Sequence, residues 1–184
     1  MSRTTNDVMD SREFRNIVGN FATGITVITT KSKETPMGFT ANSFTSLSLE
    51  PKLVLFHIDK GSSNYNVFME TDHFAVNILA NDQMDVSKQF AQKDVDRFAG
   101  IDYEEKVTGS PVLTGTLAYL DCKVVNRYDG GDHTIVIGEV VDVVLSETLV
   151  WPQLIGFLFI ATGIILGSQT NPAPQRKLEK SAIS

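Results

Sequence analysis

Two β-branched, apolar runs, Thr116–Tyr128 and His133–Leu145, are the longest strand candidates in the chain, and a glycine turn joins them. The connection Asp129-Gly130-Gly131 is a strong hairpin signal, because it supplies residues that tolerate positive φ between two runs of alternating hydrophobicity. A chain built around so long a hairpin is committed to a mainly β fold, and the remaining segments agree. Thr23–Thr30 is β-branched apart from Gly24 and is expected to form a strand. Lys31–Pro36 is a polar turn, after which Met37–Ala41 pairs back as a second strand. Lys52–Ile58 sets Leu53 and Leu55 on one face and Val54 and Phe56 on the other. A strand apolar on both faces belongs in a barrel or in the middle of a sheet. His73–Ala80 is a further strand, with Asn77 among apolar neighbours, where a buried amide must find partners.

The helices are short. Phe14, Ile17, Val18 and Phe21 make one apolar stripe on a helix over Asp10–Asn20, with Asp10 and Glu13 in a capping arrangement and Gly19 and Gly24 punctuating its end. Ser62 or Ser63 N-caps a helix over Asn64–Glu70, and Asp82 caps one running to about Ala91. Gln92–Tyr103 is a polar loop and Gly109-Ser110-Pro111 a turn. The expected fold is a mainly β, barrel-like domain with short flanking helices.

Length and charge narrow the function. The 184 residues are most simply one domain, spanning 11–168, with a flexible arm over 1–10 and a polar, Pro-containing tail over 169–184 that is mobile or embraces a second subunit. The formal net charge of −6 argues against a nucleic-acid binder, which needs a basic face. The single cysteine, Cys122, sits among strand residues and reads as an inert core thiol; it offers neither an intrachain disulfide nor a thiolate cluster. A polar Met1–Asp10 without an apolar signal core points to the cytoplasm. Leu149–Gly167 has no charged residue, and Pro152 and Gln153 interrupt its start. It is read as a buried strand or core helix, with a membrane anchor as the alternative.

The chemistry is notable for what is missing. There is no G-x-G-x-x-G, P-loop, H-E-x-x-H, C-x-x-C or G-x-S-x-G pattern. His57, His73 and His133 are scattered, and nothing in their spacing suggests a metal site or a nucleophile–base pair. His133 stands at a strand entrance directly after Gly130-Gly131-Asp132, where it is either a ligand contact or a solvated turn residue. Gly38–Pro51 is dense in hydroxyls and small residues; such a stretch is either an ordinary Ser/Thr-rich loop or a neutral cradle of amides and hydroxyls. Asp59-Lys60-Gly61-Ser62-Ser63 is likewise an anion seat or a plain capped helix start. These absences suit hydride transfer between nicotinamide and flavin, in which the cofactor carries the chemistry and the protein supplies stacking, orientation and hydrogen bonds.

Several segments together resemble the flavin reductase family, the small NAD(P)H:flavin oxidoreductases that feed two-component monooxygenases. They are Phe14-Arg15-Asn16 with Gly19, Phe21–Thr30, Gly38–Phe44, Ser46–Pro51, Ala75–Leu79 and Gly131-Asp132-His133. The match runs in order from Phe14 to about Val144 and is closest to the reductases of aromatic-ring and steroid hydroxylases. It implies a split β-barrel, a homodimer, bound FMN or FAD, NADH or NADPH as hydride donor, and an oxygenase partner reached by diffusing reduced flavin. Carried over by position, Thr40, Ala41, Asn42 and Ser43 line the isoalloxazine, and Ser46, Leu47 and Ser48 continue toward the ribityl chain and phosphate. Lys60, Ser62 and Ser63 lie near the phosphates, while Phe90, Ala91, Phe98 and Ala99 wall the flavin or the adenine. Asn77 is counted with the cofactor-binding set. Gly131, Asp132 and His133 meet the nicotinamide nucleotide, with His133 orienting the ring for hydride transfer. The family usually closes with an Arg-Gly-x-Tyr-like strand, whereas Leu149–Gly167 holds neither arginine nor tyrosine. A flavin-binding electron carrier and a membrane-attached flavin module are the alternatives.

Overall fold

The computed structural model describes residues 11–146. The expected arm over 1–10, the tail over 169–184 and the Leu149–Gly167 segment lie outside those residues. The elements, in chain order, are α1 (Ser11–Val18), β1 (Thr26–Ser32), β2 (Thr35–Ala41), β3 (Thr45–Leu49), β4 (Lys52–Asp59), α2 (Tyr65–Glu70), β5 (His73–Ile78), α3 (Met84–Ala91), β6 (Tyr103–Glu105), β7 (Pro111–Leu113), β8 (Ala118–Gly130) and β9 (His133–Leu145). The hairpin β8–β9 is the spine. Its register runs from Ala118 opposite Leu145 to Gly130 opposite His133, so the loop is the two residues Gly131-Asp132, one position later than expected. Gly131 takes φ +82°, the left-handed region that a residue with a Cβ adopts only at a cost.

Seven antiparallel strands form one sheet in the order β2-β1-β5-β8-β9-β4-β3. Its two edges, β2 and β3, are consecutive in sequence and separated only by Asn42-Ser43-Phe44. They do not pair with each other, so the sheet curls round without closing, which is a split barrel. Aromatic side chains fill the inside of the curl. Phe39 on edge strand β2 meets Phe56 of β4 at 6.0 Å and Phe68 of α2 at 5.2 Å between ring centroids. Phe56 in turn meets Phe68 at 5.8 Å and Phe74 of β5 at 5.0 Å. Most of these pairs stand edge to face, the favoured aromatic geometry. Phe56, Phe68 and Phe74 are buried, with Ile28, Ile58, Val76, Cys122 and Val136 around them. Gly138 on β9 makes room for Phe74, whose Cζ lies 2.4 Å from where a Cβ at that position would stand.

A second cluster gathers Val27, Phe90 and Leu113, with Phe98 and Tyr103 packed against it, under α3 and the β6–β7 hairpin. The backbone of Leu113 is tied to the main sheet by Asn77: its N–H donates to Asn77 Oδ1 at 2.8 Å, while Asn77 Nδ2 donates to Val27 O and Thr29 Oγ1. Asn77 thus finds the partners that its burial demands.

Several local expectations shift. Thr45–Leu49 is a strand and not a loop; its pairing with β4 is interrupted by an irregularity between Ser46 and Ser48. The expected loop and turn ends at Tyr103 and Pro111 carry the short strands β6 and β7. Asn64, and neither Ser62 nor Ser63, occupies the N-cap of α2, and its side chain makes no cap bond. It donates instead to Gly38 O at 2.7 Å. Gln83 replaces Asp82 at the start of α3. The apolar stripe of α1 is not in the core: Phe14, Ile17, Val18 and Phe21 are all exposed.

Candidate functional site

The split between β2 and β3 opens into a cavity of about 380 Å³, within the range for small-molecule sites. Its lining is Phe39, Thr40, Ala41, Asn42 and Ser43 from β2 and the connecting segment, His57, Ile58 and Asp59 from the end of β4, then Ser62 and His133. Two parts of the chain far apart in sequence meet here because β4 pairs with β9 in a register that sets Asp59 opposite His133.

Most side chains in this wall are already committed to holding it. Thr40 Oγ1 donates to Ser87 O at 2.6 Å. Ser43 Oγ accepts the N–H of His57 at 3.0 Å and donates to its carbonyl at 3.1 Å. Ser62 Oγ accepts from the Asn64 N–H. The hydroxyls are therefore scaffolding. Among the described residues one side of the β2 backbone has no strand partner; Gly38 O accepts from Asn64 and Arg97, and edge amides and carbonyls that no side chain takes are available to a ligand.

The turn at the cavity mouth is rigid. Lys60 Nζ pairs with Asp129 and donates to Gly131 O at 2.6 Å, and its own N–H donates to Asp132 O at 3.0 Å. The Asp129 carboxylate, hydrogen-bonded to Lys60, raises the lysine's pKa, and the lysine lowers the aspartate's in return. Lys60 is thus spent on fixing the β8–β9 loop. His133 Nδ1 lies 2.7 Å from Asp132 Oδ1, which orients the ring and leaves Nε2 outward. Partial burial, and then the nearby His133, lower the pKa of His57.

Of the residues marked out from the sequence, Thr40, Ala41, Asn42, Ser43, Ser62 and His133 line one cavity. Lys60, Gly131 and Asp132 form the turn beside it. Ser46, Leu47 and Ser48 lie along β3, outside the lining, and Ser48 Oγ accepts from the Glu50 N–H. Ser63 is exposed and Asn77 is fully buried. Phe90 is sealed in the second cluster, where its ring meets Phe98 at 5.0 Å. Phe98 borders a separate hollow of about 150 Å³ with Arg97, and Ala99 borders another; Ala91 lines neither. Phe39, His57, Ile58 and Asp59 were not singled out as site residues. The strand's alternation does set His57 and Asp59 on the face opposite Phe56 and Ile58, but nothing local distinguishes a cavity-facing side from an ordinary exposed one.

A flat polar ring fits this place: Phe39 supplies an apolar floor, the edge backbone supplies donors and acceptors, and the Asp59 carboxylate, which accepts the Gly61 N–H, is the acidic group in the wall. Among the described residues no group of three or more histidines, cysteines or carboxylates is placed to hold a metal. Fold and cavity together define a split-barrel protein with a polar-lined cavity beside the free end of β2.

Comparison with known proteins places the chain in a family. The model of the flavin reductase like domain matches residues 18–154. The reductase subunit HsaB of a flavin-dependent monooxygenase from Rhodococcus jostii is 42% identical over 182 residues, 96% of this chain and 92% of that protein. Its Mycobacterium tuberculosis counterpart is 48% identical over 132 residues, 72% and 71% of the two chains. Among solved structures, NADH:FAD oxidoreductase SgcE6 of Streptomyces globisporus, in complex with NAD and FAD fragments, superposes with TM-score 0.72 at 38% identity, covering 76% of this chain and 84% of that one. A Sinorhizobium meliloti structure superposes with TM-score 0.74 at 41% identity over 76% of this chain, which spans only 49% of that longer protein. The chain belongs to the flavin reductase family. No helix among the described residues is long and apolar enough to cross a membrane.

Proposed function

We propose that the cavity at the barrel's split binds FMN or FAD together with NADH, and that the reduced flavin supplies the oxygenase component of a two-component monooxygenase. The observation that carries this is the meeting of the Thr40–Ser43 edge with His133 in one cavity. A flavin held there would supply the redox chemistry of hydride transfer. The chain's part is positional. The unpaired edge of β2 offers hydrogen bonds to the polar rim of a ring, Phe39 offers an apolar face, and the Lys60–Gly131 lock holds His133 at a fixed height above the pocket. No protein acid or nucleophile is required.

The exposed apolar faces support a homodimer. Phe14, Ile17 and Val18 of α1, Phe21 just beyond it, and Val141, Val143, Val144 and Leu145 at the end of β9 are all exposed in the single chain. Apolar surface on that scale marks an interaction site. The cytoplasm is the compartment that fits NADH, a free thiol and a diffusible flavin.

The test is direct. Purified chain, NADH and excess FMN or FAD are mixed and nicotinamide absorbance is followed. Oxidation at or below the flavin-only blank, with flavin still bound, refutes the reductase and leaves an electron carrier. His133→Ala is expected to raise the KM for NADH more than it weakens flavin binding; equal losses would put His133 at the flavin instead.

A further inference from the structure

The cavity holds two imidazoles, and only His133 is explained by the turn that carries it. Since Asp59 lies opposite His133 and His57 opposite Ile135, all four side chains share one face of the β4–β9 pair. His57 is then the diagonal neighbour of His133, a separation of about 7–8 Å. The His57 backbone is held by Ser43 independently of the side chain. Among the described residues no protein group hydrogen-bonds the His57 ring.

Apart from the exposed amide of Asn42, the other polar side chains nearby are engaged. Asp59 Oδ1 accepts the Gly61 N–H at 2.7 Å, Asp132 holds His133, Lys60 holds Asp129, and the Tyr65 hydroxyl meets Thr134 Oγ1 at 2.9 Å. Strand β3, on the other side of β4, contributes no titratable side chain. An uncommitted imidazole that faces a cavity beside a second histidine is kept neutral by partial burial and by its neighbour. A neutral ring presents one N–H donor and one acceptor nitrogen, the complement of an amide or imide edge.

We propose that His57 is a second ligand-contacting residue of this cavity, whose neutral imidazole meets the amide-like edge of the bound ring. That edge is either the imide of the flavin or the carboxamide of the nicotinamide. The proposal rests on the flavin and NADH reading above, and it makes His57 a determinant of which ring analogues bind.

Dissociation constants of the full-length protein are measured by fluorescence for FMN and for NAD, with wild type, His57→Phe and His57→Gln. 3-Methyl-FMN, which lacks the imide N–H, and the 3-acetylpyridine analogue of NAD, which lacks the carboxamide NH₂, identify the source. His57→Phe is expected to weaken one natural ligand by about fivefold to tenfold and to leave the other unchanged, the scale of one lost hydrogen bond. The matching analogue is expected to bind wild type and His57→Phe alike. His57→Gln, which keeps a donor and an acceptor, is expected to restore affinity to within about twofold.

The sign of the pH effect follows from the direction of the shift. His57 takes up a proton only below its ordinary value of 6.5, and the charged ring has no acceptor left. Wild-type affinity for the sensitive ligand is therefore expected to fall below that pH, and the His57→Gln profile to lack that fall. Unchanged constants for both ligands in His57→Phe, or the same acid fall in His57→Gln, would overturn the proposal while leaving the functional assignment intact. Wild type that binds neither FMN nor NAD would overturn both. The residue is exposed overall and its ring only partly covered, so the variants are expected to melt with wild type, and a shared melting temperature keeps the comparison clean.

Discussion

Asn77→Leu separates a structural role for the buried amide from a cofactor role. The substitution keeps the number of side-chain heavy atoms but replaces a flat amide by bulkier methyls, so the hydrogen-bond cost is a minimum. Wild-type Asn77 is fully buried and makes three: it accepts from the Leu113 N–H at 2.8 Å and donates to Val27 O at 3.0 Å and Thr29 Oγ1 at 2.9 Å. Thr29 Oγ1 keeps contacts with Pro111 O and Ala75 O and loses little. The Leu113 N–H, on a residue only 2% exposed, is left without its acceptor, which costs about 1–3 kcal/mol. The Val27 carbonyl loses a further net bond of about 1 kcal/mol. The expected destabilisation is about 2–4 kcal/mol, a drop on the order of 5–10 °C in melting temperature. Urea unfolding at fixed protein concentration measures it, and FMN titration of the folded variant measures the other possibility. A loss below about 0.5 kcal/mol together with weakened FMN binding would show that the amide faces ligand and that the three bonds do not hold β7 to the sheet.

Two further outcomes follow from the packing. Gly138→Ala would force a Cβ to within 2.4 Å of Phe74 Cζ and 3.1 Å of Cys122 Cβ, so it is expected to cost about 1–3 kcal/mol or more in urea unfolding. Phe74→Leu on that background should recover part of the loss, and simple additivity would refute the clash. Burial, and then the neighbouring Asp121 charge, push the Cys122 thiol up to about 12, so almost no thiolate exists near neutral pH. A thiol reagent is therefore expected to leave native protein unlabelled at pH 8 and to react fully in urea; fast native labelling would contradict the burial.

Runs of β-branched residues and the glycine turn were enough to locate the long hairpin, because strand propensity and turn chemistry act over a few neighbours. β9 begins and ends where its run does, at His133 and Leu145, and the conspicuous setting of His133 after Gly131-Asp132 is a property of the chain alone. The hydroxyl-rich β3 is harder to see, since Thr45, Ser46 and Ser48 read equally well as a loop until β4 pairs with them. Phe90 and Phe98 likewise look like any aromatic pair; tertiary packing sends them to a second cluster under α3, away from the cavity. The stripe on α1 has helical period but nothing in the period says whether it faces the core.

The cavity belongs to the other kind of information. His57 and Asp59 become its wall only because β4 and β9 align Asp59 with His133, and a slip of one residue would turn both side chains into the core. Local preferences choose the strands; long-range register, set by how Phe39, Phe56, Phe68 and Phe74 fill the curl, chooses which residues stand across the opening from one another.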